Sequence, residues 1–481
     1  MPANTTSRGL AHEVRRTPLR RIRDFIDFLA STSSARFAIL VFSSLILIWT
    51  LLLSLPISAR DRQVTPLADA FFTAMSTICV TGLSVVDMAT HWSTFGTVVI
   101  LLGLQIGGIG VLTLASIMGL VVSRRLGLRQ KLMAASDSNP LRLHHGPVVE
   151  AQAVRLGEIG GLLATVAISS LIIEGAVALL IAPRLLVEGA DLWSAVWQSF
   201  YWSASAFTNT GFTPTPEGLA PFATDPWMLS SLAIGVFLGS IGFPVIFALA
   251  RGWRTPKRWS LHVKLTLTTT LILIVLGAIA IYVLEVSNAA TLGALDPAAG
   301  PMTATFLSIM TRSGGFSTIN ISEMNGSTLL VMDMLMFVGG GSASTAGGIK
   351  VTTLAVLFLA ALAEARGDSD MQIFDRRIPT DVLRLSVSVV LWGATIVATA
   401  SIAILQLTKQ PLDFVLFDVI SAFATVGLST GLTAELPDAG KYILAATMWA
   451  GRVGTVTLAA ALAASQRRQL FRRAEERPIV G

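Results

Sequence analysis

Long apolar stretches alternate with short polar ones along the whole chain, and eight of the apolar stretches are long enough to cross a membrane as helices. A spanning helix needs about 20 mostly apolar residues. The predicted spans are 37–56, 95–123, 158–182, 227–250, 265–287, 328–363, 383–407 and 440–465. Four apolar segments too short to cross lie inside successive pairs of spans, at 66–78, 192–207, 300–311 and 412–424. The pattern predicts an all-α polytopic membrane protein with eight transmembrane helices and four buried or re-entrant helices.

The composition supports a membrane protein and excludes several other classes. Of the 481 residues, 53% are hydrophobic and 13% are charged, whereas a soluble domain carries about 25% charged residues. An ordinary soluble enzyme and a disordered chain are therefore excluded. The single cysteine, Cys79, excludes an internal disulfide and a multi-cysteine zinc site, and we interpret it as a small buried residue. The basic N-terminus lacks the features of a secretory signal peptide.

The placement of charge predicts which side of the membrane each loop faces. The net charge is +6, and Lys and Arg concentrate after even-numbered spans, as in Arg124–Lys131, Arg251–Arg258, Arg366–Arg377 and Arg467–Arg473. Such loops stay in the cytoplasm, so we expect both termini to be cytoplasmic and the four short helices to enter from outside. The basic segment 1–35 is expected to hold a surface-anchoring amphipathic helix at 18–30.

A glycine phrase follows each of the four short segments. Gly82, Gly211, Gly315 and Gly427 are each followed by Leu or Phe and then by Ser or Thr. The recurrence predicts four span–pore helix–filter loop–span repeats around one pseudo-fourfold pore. The predicted units are a cytoplasmic N-terminal segment 1–35, repeats 36–125, 126–255, 256–370 (with a glycine-rich gate) and 371–466, and a cytoplasmic C-terminal tail 467–481.

The loops carry the chemistry of a cation filter. Non-helical backbone at membrane depth must line a watery path or be buried in protein, and glycine lets the chain turn its carbonyls toward an axis. Rings of carbonyls can replace the hydration shell of K⁺. The predicted K⁺-binding residues are Val80, Thr81, Gly82, Asn209, Thr210, Gly211, Ser313, Gly314, Gly315, Thr425, Val426 and Gly427. The alternative is that the glycines only allow close helix packing.

The four filter loops differ in sequence apart from their shared glycine. A symmetric tetrameric potassium channel instead repeats one full Thr-Val-Gly-Tyr-Gly phrase four times. We therefore expect fewer strong ion sites in line here, and weaker discrimination against Na⁺.

The sixth predicted span is interrupted by a run that favours a gate. Five glycines in ten residues cannot hold a stable helix, because each costs about 1 kcal/mol relative to Ala. The predicted gate comprises Gly339, Gly340, Gly341, Ser342, Ala343, Ser344, Thr345, Ala346, Gly347, Gly348, Lys350 and Arg452. A simple kink or a close helix contact is the alternative for the glycine run. Lys350 is expected to reach the cytoplasmic interface.

Four further charges, in or next to predicted spans and pore segments, are candidates for a role in the pore. Arg452 in the eighth span should face the protein interior, where it is either a barrier to cations or part of a structural salt bridge. Arg312 is either a pore-lining charge or a brace paired with Glu174, Asp333 or Asp418. Asp69 and Asp418, in pore helices, are either attractors for cations at the outer side or braces.

These phrases, the eight spans and the interrupted sixth span resemble the Trk/Ktr/HKT superfamily of potassium transporters over residues 37–465. The absence of an extra N-terminal helix pair, and the C-terminal ending 477–481, resemble the Ktr-type membrane subunit. The resemblance implies K⁺ as the transported ion, a glycine-rich loop that closes the pore beneath the filter, and an arginine at position 452 that projects toward the pore.

The resemblance also implies partners. A Ktr-type subunit forms a homodimer in the plasma (inner) membrane, and a cytoplasmic ring of nucleotide-binding RCK subunits docks on it. The basic loops and the C-terminal tail would supply the docking surface. The chain itself has no nucleotide-binding phrase, and we expect no organic cofactor and no nucleic acid. Na⁺ stimulation is common in the Ktr branch, although no Na⁺ site is recognisable in the sequence.

Three alternative functions remain open at this point. The first is a Na⁺-permeable or Na⁺/K⁺-cotransporting relative. The second is a secondary transporter of an organic solute, which usually shows two inverted repeats and not four repeats in the same sense. The third is an intramembrane enzyme, which would need a catalytic constellation. All five histidines fall in loops, at span ends or in the N-terminal tail, so we expect no enzyme.

Overall fold

The structure, a computed structural model, describes residues 34–125 and 156–454, with side chains described for 39–110 and 164–454. The predicted surface helix at 18–30, the basic residues Arg129 and Lys131 and the C-terminal tail lie outside the described residues. In the described parts, the chain is mostly helical.

Fourteen α-helices run through the described residues in the predicted order. They are α1 Ser34–Leu53, α2 Leu67–Ile78, α3 Thr94–Arg125, α4 Leu156–Val187, α5 Leu192–Phe207, α6 Pro226–Ile241, α7 Phe243–Gly252, α8 Leu261–Glu285, α9 Gly300–Met310, α10 Gly326–Phe337, α11 Val351–Arg366, α12 Thr380–Thr408, α13 Leu412–Ala424 and α14 Asp438–Trp449. The four short apolar segments form α2, α5, α9 and α13, within about two residues of the predicted bounds at each end.

Three described helices are long and apolar enough to cross a membrane, namely Ala164–Val187, Leu261–Glu285 and Thr380–Thr408. The bent pair α6 and α7 would make a fourth span. The parts of α1 and α3 whose side chains are described, Ile39–Leu53 and Thr94–Gly110, are shorter apolar helices. The protein is therefore a multi-pass membrane protein, while the count of eight spans stays a prediction.

Two predicted spans are broken, and one of the breaks was not predicted. The segment 227–250 bends by 104° at Gly242, where φ is 84° and Pro244 occupies the first turn of α7. Proline begins a helix well but cannot continue one, so Phe243 starts a new helix. The other break separates α10 from α11, and residues 338–350 between them are not helical.

The contacts between helices lead from the first short helix along the chain and back to it. The short helices α5, α9 and α13 pack on α3, α6 and α10, which are the helices that follow the preceding short helix in the chain. Helix α14, near the end of the described chain, packs on α2, the first short helix. The contacts therefore form a closed ring that includes all four short helices, which surround its centre.

A small β-hairpin joins α11 to α12. Strand β1 (Met371–Ile373) pairs antiparallel with β2 (Arg376–Ile378), and both turn residues, Phe374 and Asp375, have positive φ, which is the requirement of a type I′ turn. Met371 and Ile378 pack against Leu265 of α8. From the sequence alone, this region is expected to be only a basic loop.

Candidate functional site

The four glycine phrases begin where the four short helices end. Helices α2, α5, α9 and α13 stop at Ile78, Phe207, Met310 and Ala424, only a few residues before the respective glycines. Each helix therefore presents its C-terminal end to the loop that follows it. A helix C-terminus carries a partial negative charge, which favours a cation at the common centre.

All four loops repeat one backbone conformation. The phrases align in four triplets, Val80–Gly82, Asn209–Gly211, Ser313–Gly315 and Thr425–Gly427, in which the first and third residues have positive φ and the middle residue does not. The first residue in each triplet is not glycine, and such residues adopt positive φ only at a cost. A costly conformation repeated at four equivalent places indicates a common functional geometry.

The four glycines meet, and the carbonyls before them point into the same space. A Cβ built on Gly427 would lie 2.5 Å from Thr81 O and 2.9 Å from Thr210 O. On Gly315 it would lie 2.7 Å from Val426 O, and on Gly211 it would lie 2.9 Å from Gly314 O. The middle carbonyl of every triplet thus faces a glycine of another loop. Only glycine leaves this space free for the oxygens.

The amides of the loops turn the other way, toward their own helices. The middle amides of three triplets, those of Thr81, Thr210 and Val426, donate to the carbonyls of Ser76, Ser205 and Ser421 at 2.8–2.9 Å, and that of Gly314 donates to Met310 O at 2.7 Å. Because these amides bond to their own helices, the carbonyl groups of the middle residues are the ones that face the space between the loops. The triplets also end at half-buried glycines, whereas the two residues before each glycine are buried.

Serine side chains provide an anchor that the sequence analysis missed. Ser76 Oγ accepts a hydrogen bond from the amide of Gly82 at 3.0 Å, and Ser421 Oγ accepts one from Gly427 at 3.1 Å. Both serines lie six residues before the glycine, and Ser205 occupies the same place in the second phrase. This recurrence was a signal in the sequence that could have identified them.

The glycine-rich segment 338–350 lies directly against the second and fourth loops. Thr345 Oγ1 donates to Phe207 O at 3.2 Å and to Asn209 Oδ1 at 2.8 Å. A Cβ on Gly347 would lie 2.8 Å from Ala424 O. The segment also fills the break at Gly242, since Gly341 N donates to Ser240 O at 2.7 Å. The backbone groups freed at the two broken helices thus satisfy one another.

Lys350 bonds to the backbone of the same glycine-rich segment. Its Nζ donates to Ala346 O at 2.6 Å and approaches Gly347 O at 3.4 Å, and the residue is only partly exposed. The expectation that Lys350 extends to the cytoplasmic interface stays a prediction. In the structure, the ammonium group neutralises carbonyl dipoles of the non-helical backbone.

Arg312 braces the third loop through carbonyls and not through a carboxylate. Its Nη1 donates to Thr270 O at 2.8 Å, and its Nη2 donates to Gly339 O at 3.2 Å. No carboxylate in the described part of the chain lies within salt-bridge distance of it. Glu174, Asp333 and Asp418 are therefore not its partners, and the interpretation as a pore-lining charge is replaced by a brace between α8 and the gate segment.

Arg452 also contacts the gate segment. It lies in a π-helical turn, Ala450–Gly454, is 2% exposed, and donates from Nη1 to Thr345 O. Among the described residues, its Nε and Nη2 have no hydrogen-bond partner and no carboxylate pairs with it. The salt-bridge alternative is therefore wrong for the described residues, and a buried cation touches the same threonine that touches the second loop.

Asp69 and Asp418 in the pore helices are braces. Asp69 forms an ion pair with Lys441 of α14 at 2.5 Å, which ties the first short helix, α2, to α14. Asp418 is completely buried and accepts hydrogen bonds from Ser429, Thr430 and Thr433. Neither carboxylate is a free attractor for cations. Cys79 is a free, fully buried thiol in the described structure, as expected.

The site therefore combines four converging carbonyl loops with a segment packed against two of them. A family model described as TrkH, cation transport protein, matches residues 27–470. The chain belongs to this family.

Relatives of the TrkH family match almost the whole chain. The Ktr system potassium uptake protein B of Bacillus subtilis is 35% identical over 415 residues, 86% of this chain and 89% of the relative. The potassium/sodium uptake protein NtpJ of Enterococcus hirae is 28% identical over 426 residues, 87% of this chain and 90% of the relative. The crystal structure of the potassium transporter TrkH from Vibrio parahaemolyticus has a TM-score of 0.65 at 18% identity, covering 87% of this chain and 83% of that one. The fold is thus that of TrkH.

Proposed function

We propose that the chain is the potassium-translocating membrane subunit of a K⁺ uptake system, with four filter loops around a single pore. One observation carries the proposal: the middle carbonyls of all four triplets face glycines of neighbouring loops in one shared space. Oxygen rings of this kind replace the hydration shell of a monovalent cation. Membership of a cation transport family and 35% identity to a Ktr potassium uptake protein support K⁺ as the ion. The chain is accordingly a transporter and not an enzyme.

The proposed architecture is the fourfold one, with eight spans and repeats at 36–125, 126–255, 256–370 and 371–466. The ring of contacts from α2 through α14 and back supports it. We place both termini and the basic loops in the cytoplasm of a cell bounded by the plasma membrane, because Lys and Arg collect after even-numbered spans.

Residues 339–350 together with Arg452 are proposed to gate the pore. The segment bonds to the second loop through Thr345 and packs on the fourth through Gly347, while Arg452 places a buried positive charge against it. A cation approaching this charge meets a repulsive potential in a low-dielectric setting. Movement of the segment would remove both the steric and the electrostatic obstacle.

Gating of this kind needs a regulator outside the chain. We propose a homodimer on which a cytoplasmic ring of nucleotide-binding RCK subunits docks. The relative from Bacillus subtilis is named as protein B of a system, which supports a complex of several components. The hairpin β1–β2 and its neighbouring arginines are on the side that we assign to the cytoplasm, where such a ring would bind.

A Na⁺-permeable or Na⁺/K⁺-cotransporting activity is the second candidate. The relative from Enterococcus hirae is named as a potassium/sodium uptake protein, and the triplets share only one glycine, which favours a less selective filter than that of a tetrameric potassium channel.

Rubidium uptake into proteoliposomes that contain the purified chain tests both candidates. We expect uptake of ⁸⁶Rb⁺ that excess K⁺ abolishes and equal Na⁺ reduces much less. Competition by Na⁺ equal to that by K⁺ would favour the second candidate. Absence of uptake by the wild type and by a variant without the gate segment would contradict cation translocation.

A further inference from the structure

The fourth filter loop is held differently from the other three. A hydroxyl residue follows each filter glycine by two positions, namely Ser84, Thr213, Ser317 and Ser429. In the first three loops this hydroxyl donates to the carbonyl two residues further along the chain, at Val86, Thr215 and Ile319. Such bonds are local turns and tie the loop only to itself.

In the fourth loop the equivalent hydroxyl reaches a buried carboxylate. Ser429 Oγ donates to Asp418 Oδ2 at 2.7 Å, and Asp418 lies within α13 and is completely buried. Oδ1 accepts from the amide and hydroxyl of Thr430 at 2.9 and 3.1 Å. Oδ2 also accepts from the amide and hydroxyl of Thr433 at 3.0 and 2.6 Å. The Asp418 carboxylate thus accepts five hydrogen bonds from residues 429–433, which follow Gly427 in the chain.

No other repeat has this arrangement. Asp418 lies nine residues before Gly427, and the residues nine places before the other filter glycines are Thr73, Trp202 and Phe306. Carboxylate hydrogen bonds are shorter and stronger than those between neutral groups, and a buried carboxylate is tolerated only when such donors surround it. The fourth loop is therefore held firmly to its own pore helix.

The fourth loop lies next to carbonyl groups of the first and second loops. The Cβ position of Gly427 is 2.5 Å from Thr81 O and 2.9 Å from Thr210 O, so a small shift of Gly427 changes the space that three loops share. Discrimination between K⁺ and Na⁺ depends on the geometry and number of the carbonyls that surround the ion.

We propose that Asp418 is a positioning residue for ion selectivity. Through Ser429 and Thr430 it fixes the chain immediately after Gly427, and thereby holds the carbonyl ring at the size that suits the larger ion. This inference rests on the proposed function in cation translocation. Asp418 itself does not touch the ion, since its oxygens are fully used by the loop.

The decisive variant is Asp418→Asn, which keeps the shape and replaces one oxygen by an amino group. Hydroxyls can rotate to accept from that group, but the amide of Thr430 or Thr433 loses its acceptor. We expect the preference for Rb⁺ over Na⁺ in proteoliposome uptake to fall roughly tenfold, the size that loss of a buried hydrogen bond gives. Maximal uptake should be retained. Hydrogen exchange at the amides of Thr430 and Thr433 should accelerate.

Glu285→Gln is the matched control. Glu285 is also completely buried, and it accepts from Thr291 Oγ1, Asn325 N and Thr328 Oγ1 at 2.5–2.9 Å. These donors lie outside the filter phrases. We expect a lower melting temperature and an unchanged Rb⁺/Na⁺ preference. An equal loss of preference in both variants would reduce the effect to general destabilisation and overturn the inference.

Two milder variants keep the test valid if Asp418→Asn does not fold. Ser429→Ala and Thr433→Val each remove one hydroxyl donor while the carboxylate stays, and each should lower the preference several-fold in the same direction. Folded variants with faster loop exchange but the wild-type preference would overturn the role of Asp418 and leave cation translocation standing. A wild-type chain without selective cation uptake would instead contradict the proposed function itself.

Discussion

At the residue scale, the filter glycines are constrained by two separate effects. Gly82 has a φ of 92°, and a Cβ there would collide with Thr210 O. The positive φ alone costs an L-residue about 1 kcal/mol, whereas the collision acts directly on a carbonyl of the proposed filter. The two effects can be separated, because another glycine of the chain has nearly the same φ and no atom close to its Cβ position.

The glycine prediction compares Gly82→Ala with Gly189→Ala. Gly189 has a φ of 94° and nothing within 4 Å of its Cβ position, so its substitution should cost about 1 kcal/mol of stability through strain alone. We expect Gly82→Ala to lower the Rb⁺/Na⁺ preference as well, measured by competition in proteoliposome uptake. An unchanged preference in Gly82→Ala, and in Gly→Ser variants of Gly211, Gly315 and Gly427, would contradict the filter assignment.

At the element scale, two broken helices complete each other. The break at Gly242 exposes Ser240 O and Phe243 N, and the glycine-rich segment supplies Gly341 N and Ala343 O to them. Glycines in the segment allow this close approach, because a Cβ on Gly341 would lie 2.8 Å from Ile241 O. The gate segment is thus a buried element with defined partners, although its sequence suggests mere flexibility.

The gate prediction concerns deletion of Gly339–Gly348. The deletion removes Thr345, which joins Arg452 to the second filter loop, so basal ⁸⁶Rb⁺ uptake should rise without any partner present. Thr345→Val, which removes the same hydroxyl bond alone, should raise it less. Monodispersity in detergent controls for folding. A folded deletion variant with lower uptake would mean that the segment supports the path and does not close it.

At the scale of the whole molecule, the contact between the last described α-helix and the first short helix determines which loops lie together. Helix α14 packs on α2, and the ion pair between Lys441 and Asp69 joins the same two helices across the chain. This closure brings phrases that are separated by more than a hundred residues into contact.

The sidedness prediction uses the buried thiol. Cys79 is the single cysteine and is fully buried, so a cysteine placed elsewhere should be the one that reacts with a membrane-impermeant maleimide. In intact cells we expect labelling of Glu217→Cys and none of Arg254→Cys; both wild-type residues are exposed. Membrane disruption should make both react. Labelling of Arg254→Cys in intact cells would reverse the proposed topology.

The sequence by itself determined the positions of the helices and of the four filter phrases. Helices α2, α5, α9 and α13 follow from short apolar runs, and the filter glycines follow from a repeated phrase, because apolar length and backbone freedom are local properties. Gly242 and Pro244 are local signals of the break between α6 and α7, but the long apolar stretch around them predicts a continuous span.

Only the tertiary structure decided the partners of the buried charges. Arg312 was predicted either to line the pore or to pair with a carboxylate, and instead it meets Thr270 O and Gly339 O. Asp418 was undecided between attractor and brace, and its five donors make it a brace. A buried charge takes whatever donor or acceptor the packed helices bring to it. That choice depends on contacts between distant parts of the chain, which no local pattern in the sequence encodes.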